Sequence, residues 1–289
     1  MKEKLFKKSK KIVKLYSKNL HFTSLFIKSQ YSTYIQFLYF ICRTLDEIAD
    51  NKITSKVKSL KRLNVILKQL NNKSNEKLDK LSLFIKLLKK NTSLNINFFF
   101  DLIQVLIKEI QYPANIKTEE ELIYYCYGVA GTIGLLILPI INIKNSRQNS
   151  IKAIHLGIFM QLINIARDVL EDAFKGRRYL PACWVNHISA QNIIYLSNSP
   201  INKNHIKITN AIRKILILSQ FFYNKGINNL YQLNYTNRFF INLISSIYYK
   251  IHINICKSNN NWIYKRIFIS LHYKLFLTLK IFFICSKRI

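Results

Sequence analysis

Apolar residues recur at spacings of three and four positions along almost the whole chain, and strict two-residue alternation is rare. This period is typical of amphipathic α-helices and not of β-strands. It predicts helices over residues 4–17, 32–50, 55–70, 76–90, 95–110, 147–172, 205–232, 238–256 and 266–284. Because no linker or internal repeat separates these segments, we expect one all-α domain over residues 1–289, with a basic N-terminal extension at 1–18.

A further helix is predicted to begin at Thr118, because Thr118 and Glu121 have the spacing of a capping box. This helix contains three glycines at intervals of three residues, Gly128, Gly131 and Gly134, ahead of Pro139. Glycine inside a helix costs stability. We therefore expect another helix or a ligand to approach closely at these glycines, or a kink.

Two apolar stretches are too short or too polar to be convincing membrane spans. Residues 133–143 are few and include Pro139, and residues 267–285 are interrupted by His272, Lys274 and Lys280. The second stretch is a basic, apolar tail that either packs on the domain or lies on a membrane surface, and both alternatives stay open. The N-terminus lacks the apolar core of a secretory signal. We expect a cytoplasmic monomer, with peripheral contact to an anionic membrane face as a further expectation.

The net charge changes the range of partners to consider. The 289 residues include 45 Lys or Arg and only 14 Asp or Glu, which gives a net charge of +31. Such a field attracts nucleic acids, anionic lipids and diphosphates alike, although a general abundance of Lys, Asn and Ile also contributes to it. No groove-reading motif or aromatic platform for bases accompanies the charge, so we expect no nucleic-acid partner. The five cysteines show no paired spacing and are expected to be free thiols.

Six of the 14 acids lie in two short clusters, and this clustering carries the chemistry. In the first cluster, Asp46 and Asp50 are four residues apart and project from one face of a helix. Two unpaired carboxylates there repel each other, and Mg²⁺ removes this repulsion because it prefers carboxylate oxygen. Arg43 lies one turn earlier and is placed to hold a phosphate oxygen.

The second cluster repeats the spacing at Asp168 and Asp172. Gln161, Asn164 and Asp168 follow one helical stripe with Arg167 beside it, and such a polar stripe is costly inside an apolar core. Either cluster alone is compatible with a solvated helix face. Together, in a chain with so few acids, they predict two facing helices around a cavity.

A cavity with carboxylates at its mouth and apolar, aromatic walls fits a diphosphate with a long hydrocarbon tail. Mg²⁺ between the carboxylates and the diphosphate would stabilise the leaving group. The walls would shield the resulting carbocation from water.

The chain resembles the squalene/phytoene synthase family over about residues 20 to 280. Asp46 to Asp50, preceded by Arg43, matches the first motif, DxxxD, and Gln161 to Asp172 matches the second, QxxNxxRDxxxD, at every fixed position. Residues 125–134 are similar to YCYxVAGxxG, and residues 171–184 are similar to EDAxxGRxYLPxxW of bacterial phytoene synthases. Tyr248 lies in a segment similar to the C-terminal tyrosine segment of the family.

The resemblance implies an all-α isoprenoid-synthase bundle around a central apolar cavity, which binds prenyl diphosphates with Mg²⁺ or, as a substitute, Mn²⁺. It implies that metal and diphosphate are held by Asp46, Asp50, Asn164, Asp168 and Asp172. The aspartates and Tyr125, which would lie near the reacting cation, are the implied catalytic residues. Substrate binding is implied for Arg43, Gln161, Asn164, Arg167 and Tyr248, with Gln161 lining the cavity.

The leading expectation is head-to-head condensation of two geranylgeranyl diphosphates, through a cyclopropylcarbinyl diphosphate, to phytoene in carotenoid biosynthesis, without NADPH. The motifs do not set the cavity depth, so an enzyme that makes squalene, hydroxysqualene or dehydrosqualene from farnesyl diphosphate stays open. A non-catalytic relative that acts as an assembly factor is a further alternative, against which the four retained aspartates argue. A head-to-tail synthase is disfavoured, because its second motif needs DDxxD where this chain has Asn164 and Arg167-Asp168.

Overall fold

The computed structural model describes residues 2–50, 55–71, 77–112, 115–144, 146–258, 262–263 and 266–286. Over these residues the fold is all-α, as predicted. Its helices are α1 Lys2–Tyr16, α2 Lys18–Thr23, α3 Ser29–Asp50, α4 Lys56–Leu70, α5 Lys80–Asn91, α6 Asn97–Gln111, α7 Glu119–Cys126, α8 Thr132–Ile140, α9 Arg147–Arg167, α10 Val169–Phe174, α11 Ala182–Val185, α12 Ala190–Ser197, α13 Lys203–Ile227, α14 Tyr235–Lys257 and α15 Leu271–Ser286.

Three clusters of buried apolar side chains hold the bundle together. The first joins α3, α4, α5, α6 and α8, and the second joins α7, α9, α12, α13 and α14. A smaller third cluster lies between α2, α14 and α15. The two acidic motifs lie on helices of different clusters, α3 and α9, so the site they share lies where the two large clusters meet.

The glycine-rich helix is distorted and closely packed, as its sequence predicted. Residues 127–131 between α7 and α8 form a π-helical segment, which places an extra residue in the turn. A Cβ atom built on Gly134 would lie 2.4 Å from the Ala153 carbonyl oxygen, and one on Gly157 would lie 2.3 Å from that of Ala130. The missing side chains therefore allow α9 to approach both α8 and the π-helical segment at backbone contact.

Half of the predicted capping box forms at the start of α7. The Thr118 hydroxyl accepts a hydrogen bond from the backbone N–H of Glu121, at 3.3 Å. The Glu121 carboxylate instead accepts from the backbone N–H of Lys117, at 2.7 Å, one residue before the expected donor. The predicted start of the helix at Thr118 is thus confirmed. The hydrogen bond to the Glu121 carboxylate comes from Lys117 instead of Thr118.

The prediction of one continuous helix over 147–172 is wrong at Asp168. The backbone there has φ −107° and ψ 19°, outside the helical region, so α9 ends at Arg167 and α10 begins at Val169. The Asp172 N–H still donates to the Asp168 carbonyl at 2.8 Å. This bond keeps the two aspartates one turn apart despite the break. The helix predicted over 205–232 is also shorter and ends at Ile227, because Asn229 has a positive φ of 56°.

One helical run among the described residues, Glu119–Ile140, is long and apolar enough to cross a membrane by length and composition. This run is longer than the apolar stretch predicted at 133–143, because the helix continues through the glycines. In the fold, α8 packs against α6 and α9, which is the position of a core helix. The C-terminal tail packs on the domain through Lys274, Leu277, Ile281 and Cys285 of α15.

Candidate active site

A cavity of about 540 Å³ opens where the two large clusters meet. Its lining comes from α3, α6, α7, α9, α10 and α14, from the α1–α2 corner and from residues 266–268. All ten residues singled out from the sequence line it: Arg43, Asp46, Asp50, Tyr125, Gln161, Asn164, Arg167, Asp168, Asp172 and Tyr248. The roles assigned to them remain predictions, but the structure brings all of them together.

The first acidic motif projects from the last two turns of α3. Asp46 is half-buried on the cavity wall, with Asp50 and Glu109 nearby. Burial, reinforced by these two carboxylates, raises the pKa of Asp46 to about 7. Arg43 and Arg177 lower the pKa of Asp46, but they do not offset the combined effect of burial and the two neighbouring carboxylates.

The second motif follows the break at Asp168. The Asp168 carboxylate accepts from Arg167, with Nη2 to Oδ2 at 2.6 Å, and from Arg266, with Nε to Oδ1 at 3.0 Å. Burial and the neighbouring Asp168 raise the pKa of Asp172 to about 7. Asp168 thus pairs with two arginines, while Asp172 has only a long contact of 4.0 Å to Lys175 and a strongly raised pKa.

Arg177 connects the two motifs. It lies in the loop after α10, and its guanidinium donates to the Asp50 carboxylate. Its Nε also lies 3.4 Å from the Glu109 carboxylate, which is buried on α6. This single side chain therefore joins the loop after the second motif to the end of the first.

A hydrogen-bonded pair of tyrosines forms part of the wall. The rings of Tyr125 and Tyr179 are stacked with centroids 4.8 Å apart. The Tyr125 hydroxyl donates to Tyr179, and the Tyr179 hydroxyl donates to Glu109 at 2.5 Å. Burial raises the pKa of Tyr125 well above its usual value, so its hydroxyl stays neutral.

The amide residues of the second motif lie deeper along α9. The Asn164 Nδ2 donates to the Gln161 Oε1 at 3.3 Å, and Tyr248 of α14 is hydrogen-bonded to Asn164. At the cavity mouth, the Arg43 guanidinium lies 4.6 Å from the ring centroid of Tyr16. Its Nε also lies 3.2 Å from Glu47.

Further polar residues of the lining have no role predicted from the sequence, and four of them pair with one another or with the acidic motifs: Glu109, Arg177, Tyr179 and Arg266. Arg177 and Tyr179 lie in the segment after the second motif, at residues 171–184, and the resemblance of this segment to phytoene synthases could have identified them as site residues. Glu109 is one of few acids and interrupts an otherwise apolar helix face, which was a weaker signal. Arg266 is about 100 residues from its partner Asp168, and no local pattern marks it.

The donor set agrees with a divalent cation. Two carboxylates whose pKa values are raised to about 7 lie beside further carboxylates, and a cation would offset this repulsion. The candidate ligands are Asp46, Asp50, Asn164, Asp168 and Asp172. Over the described ranges, no group of three His, Cys, Asp or Glu side chains is close enough to hold an ion by itself. Asp50 and Asp168 are paired with Arg177, and with Arg167 and Arg266, respectively.

The cavity mixes both charges. Five carboxylates face six cationic side chains, Lys18, Arg43, Arg167, Lys175, Arg177 and Arg266. An anion with several oxygens can bind the cationic groups, and a divalent cation held by the carboxylates would neutralise its charge. The chemistry that follows from this arrangement is binding and activation of a phosphate or diphosphate ester.

Comparisons with known proteins agree with this chemistry. The sequence profile of the squalene/phytoene synthase family matches residues 13–273. A 4,4'-diapophytoene synthase of Staphylococcus haemolyticus (strain JCSC1435) is 27% identical over 251 residues, which is 86% of each chain. A 15-cis-phytoene synthase of Enterobacter agglomerans is 28% identical over 144 residues, 50% of this chain and 47% of that protein.

Two solved structures share the fold. A dehydrosqualene synthase in complex with a ligand has a TM-score of 0.80 at 20% identity and covers 99% of this chain and 98% of that one. The squalene synthase HpnC from Alicyclobacillus acidocaldarius has a TM-score of 0.72 at 16% identity and covers 89% of this chain and 95% of that one. With the family profile matched over most of its length, the chain belongs to the squalene/phytoene synthase family of head-to-head condensing prenyltransferases.

Proposed function

We propose that this protein condenses two geranylgeranyl diphosphates head to head, through a cyclopropylcarbinyl diphosphate, to phytoene. The observation that carries the proposal is the arrangement of two carboxylate pairs around one cavity. Asp46 and Asp50 come from α3, Asp168 and Asp172 from the α9–α10 junction, and arginines stand between them. This arrangement suits a substrate whose departing group is a diphosphate.

The charged residues would bind and orient the diphosphates. Arg43, Arg167 and Tyr248 face the cavity and would donate to phosphate oxygens, and Arg266 can exchange its Asp168 partner for phosphate. The aspartates and Asn164 would hold Mg²⁺ or Mn²⁺, which when bound neutralises the diphosphate as a leaving group. Holding two substrates in one cavity supplies most of the required proximity.

The aromatic wall would protect the carbocation. When the carbon–oxygen bond breaks, the electron pair leaves with the diphosphate, and positive charge develops on the prenyl carbon. The stacked rings of Tyr125 and Tyr179 offer π-faces that attract a cation, and the neutral Tyr125 hydroxyl is a poor nucleophile. The proposed route to phytoene uses no NADPH.

The chain length of the substrate is the finer part of the proposal. Residues 171–184 are similar to the corresponding segment of bacterial phytoene synthases, which supports geranylgeranyl diphosphate. A second candidate is a farnesyl diphosphate enzyme that makes dehydrosqualene. The similarity to the 4,4'-diapophytoene synthase favours this candidate, because it extends over 86% of both chains. The similarity to the phytoene synthase of Enterobacter agglomerans extends over only 50% of this chain and 47% of that protein.

Product analysis tests this proposal. Purified protein with Mg²⁺ is incubated with geranylgeranyl diphosphate, with farnesyl diphosphate and with both, and hydrocarbon products are identified by mass. We expect phytoene to dominate the mixed reaction. Exclusive consumption of farnesyl diphosphate would assign the protein to the second candidate.

An inactive variant distinguishes an enzyme from an assembly factor. Asp168→Asn keeps the shape of the side chain and removes the charge that Arg167 and Arg266 neutralise, and we expect it to abolish product formation. If a cell lacking the protein is rescued equally by the wild-type and Asp168→Asn chains, the non-catalytic role is correct.

A further inference from the structure

The C-terminal helix α15 carries large apolar side chains on the face that points away from the domain. Its inward stripe, from Lys274 to Cys285, packs on the domain. The outward face bears Leu271, Leu275, Phe276, Leu279, Phe282 and Phe283, and each of these residues is between 47% and 62% exposed. Apolar groups that the fold leaves in water at this density mark an interaction surface.

These six side chains form one continuous strip. At 3.6 residues per turn they fall within an arc of about 140° on the helix, and the polar residues of α15 inside that arc are His272 in the first turn and Ser286 at the end. A helix that is apolar on its outer face as well as on its inner face is normally covered on both. The outer face of α15 therefore requires an apolar partner.

The charge around the strip determines the chemistry of that partner. No Asp or Glu occurs between Ala173 and Ile289, whereas 17 Lys or Arg do, so α14 and α15 are free of acids. Lys280 is exposed beside the strip, and the Lys250 Nζ of α14 lies 4.5 Å from the ring centroid of Tyr273. One residue further along, Lys274 is buried against the domain and lies 5.8 Å from the ring of Phe22 in α2, and the exposed Lys18 stands at the start of α2. The charged side chains of α2, α14 and α15 near the strip are therefore cationic.

We propose that the outward face of α15 docks on a bilayer that contains anionic lipid. The leucines and phenylalanines would enter the boundary between headgroups and acyl chains, and the flanking lysines would face lipid phosphates. A second copy of this chain is a poorer occupant, because a symmetric contact would place two acid-free cationic faces against each other.

The position of the cavity supports this orientation. Arg266 and Phe268 line the cavity mouth and immediately precede α15, and Leu15, Tyr16 and Lys18 line it from the α1–α2 corner. Phe268 is 71% exposed and Leu15 is 67% exposed. Exposed apolar side chains therefore occur on the cavity lining and again three residues after Phe268, at Leu271, where the strip begins. If the proposed function is correct, substrate tails and the hydrocarbon product can exchange directly with the bilayer.

Vesicle flotation without substrate tests the docking. Vesicles of phosphatidylcholine alone are compared with vesicles that also contain phosphatidylglycerol. We expect binding to the second kind, weakening as salt is raised, because the attraction is partly electrostatic. The Leu279→Glu/Phe283→Glu variant should reduce the partition coefficient by at least about tenfold, since it removes two of the exposed apolar side chains that would enter the bilayer.

A matched control is available on α13. Ile217 and Phe221 are also four residues apart and exposed, so Ile217→Glu/Phe221→Glu adds the same charges elsewhere and should bind like wild type. Wild-type protein that does not float with anionic vesicles overturns the proposal, and so does an equal loss in both variants. A concentration-dependent dimer in light scattering, abolished only by the α15 variant and without vesicle binding, would assign the face to a contact between copies.

Two further measurements keep the outcome clear. If Leu279→Glu/Phe283→Glu fails to fold by circular dichroism, the exposed single change Phe276→Gln replaces it, with Ile217→Gln as its control. The inactive Asp168→Asn chain should float like wild type. Docking and condensation can therefore fail independently of each other.

Discussion

Arg177 donates to Asp50, a residue 127 positions earlier in the chain, and so ties the two acidic motifs to each other. The same guanidinium lies beside Glu109, which also accepts the hydroxyl of Tyr179. One arginine therefore stabilises carboxylates from α3 and α6 at the cavity wall. This cluster yields a prediction that does not depend on the substrate.

Replacing Arg177 by alanine should lower the free energy of unfolding by about 2 kcal/mol, because it leaves Asp50 and Glu109 without their cation. Adding Glu109→Gln should recover part of that loss, since one uncompensated charge is then removed. Urea unfolding of the two single variants and the double variant measures this coupling.

Arg62→Ala is the control for that cycle. Arg62 pairs with Asp79 on the exposed side of α4, at 2.9 Å, and should cost less than about 1 kcal/mol. Additive effects of Arg177→Ala and Glu109→Gln would contradict the proposed pairing.

Asp46→Asn should stabilise the metal-free protein and abolish condensation. The pKa of Asp46 is about 7 in the folded protein, above its ordinary value of 3.8. Protonation of Asp46 therefore favours the folded state. This stabilisation is fully present below the ordinary pKa and is lost as pH rises through 7. The melting temperature of the variant should exceed that of wild type by about 3 °C or more at pH 8, and by less at pH 5.

Glu47→Gln provides the comparison for Asp46→Asn. Glu47 is in the same cluster but is exposed and pairs with Arg43, so its replacement should not raise the melting temperature. A gain for Asp46→Asn that is equal at pH 5 and pH 8 would show that the charge is not responsible.

Metal binding should release protons near neutral pH. Asp46 and Asp172 are partly protonated at pH 7 because burial and neighbouring carboxylates raise their pKa values to about 7. A metal binds only the ionised form, so metal and protons compete. The acidic limb of the kcat/KM profile should move to lower pH as Mg²⁺ is raised, by up to about one unit per tenfold.

The substrate diphosphate also titrates, so a measurement without substrate is needed. Adding Mg²⁺ to the free protein at pH 7 should acidify a weakly buffered indicator solution, and Asp46→Asn should release fewer protons. No proton release from wild type would contradict the assignment of these carboxylates as ligands.

Gly157→Ala should be strongly destabilising, by about 2 kcal/mol or more, because its Cβ would lie 2.3 Å from a backbone oxygen of the neighbouring helix. Gly176→Ala should cost only about 1 kcal/mol. Gly176 has a φ of +78° but open space around it, so only backbone strain opposes alanine. Thermal unfolding compares the two, and the reverse order would contradict the close contact of α9 with the π-helical segment at residues 127–131.

Much of this site was predictable because it depends on helical period. Asp46 and Asp50, like Asp168 and Asp172, are four residues apart, and each pair faces the cavity as expected. The break at Asp168 was not predictable, because no glycine or proline marks it. The pairing of Asp168 with Arg266 and of Asp50 with Arg177 depends on how distant helices pack, and spacing along the chain contains no information about that.

The amino-acid sequence alone determined the helical class, the two acidic motifs and the family resemblance, because these follow from local periodicity and from fixed spacing within one or two helices. Only the tertiary structure decided which carboxylates meet arginines and which acquire raised pKa values. It also decided which face of α15 the domain leaves uncovered. These properties depend on burial and on the distance between helices remote in sequence, and electrostatic energies change steeply with both.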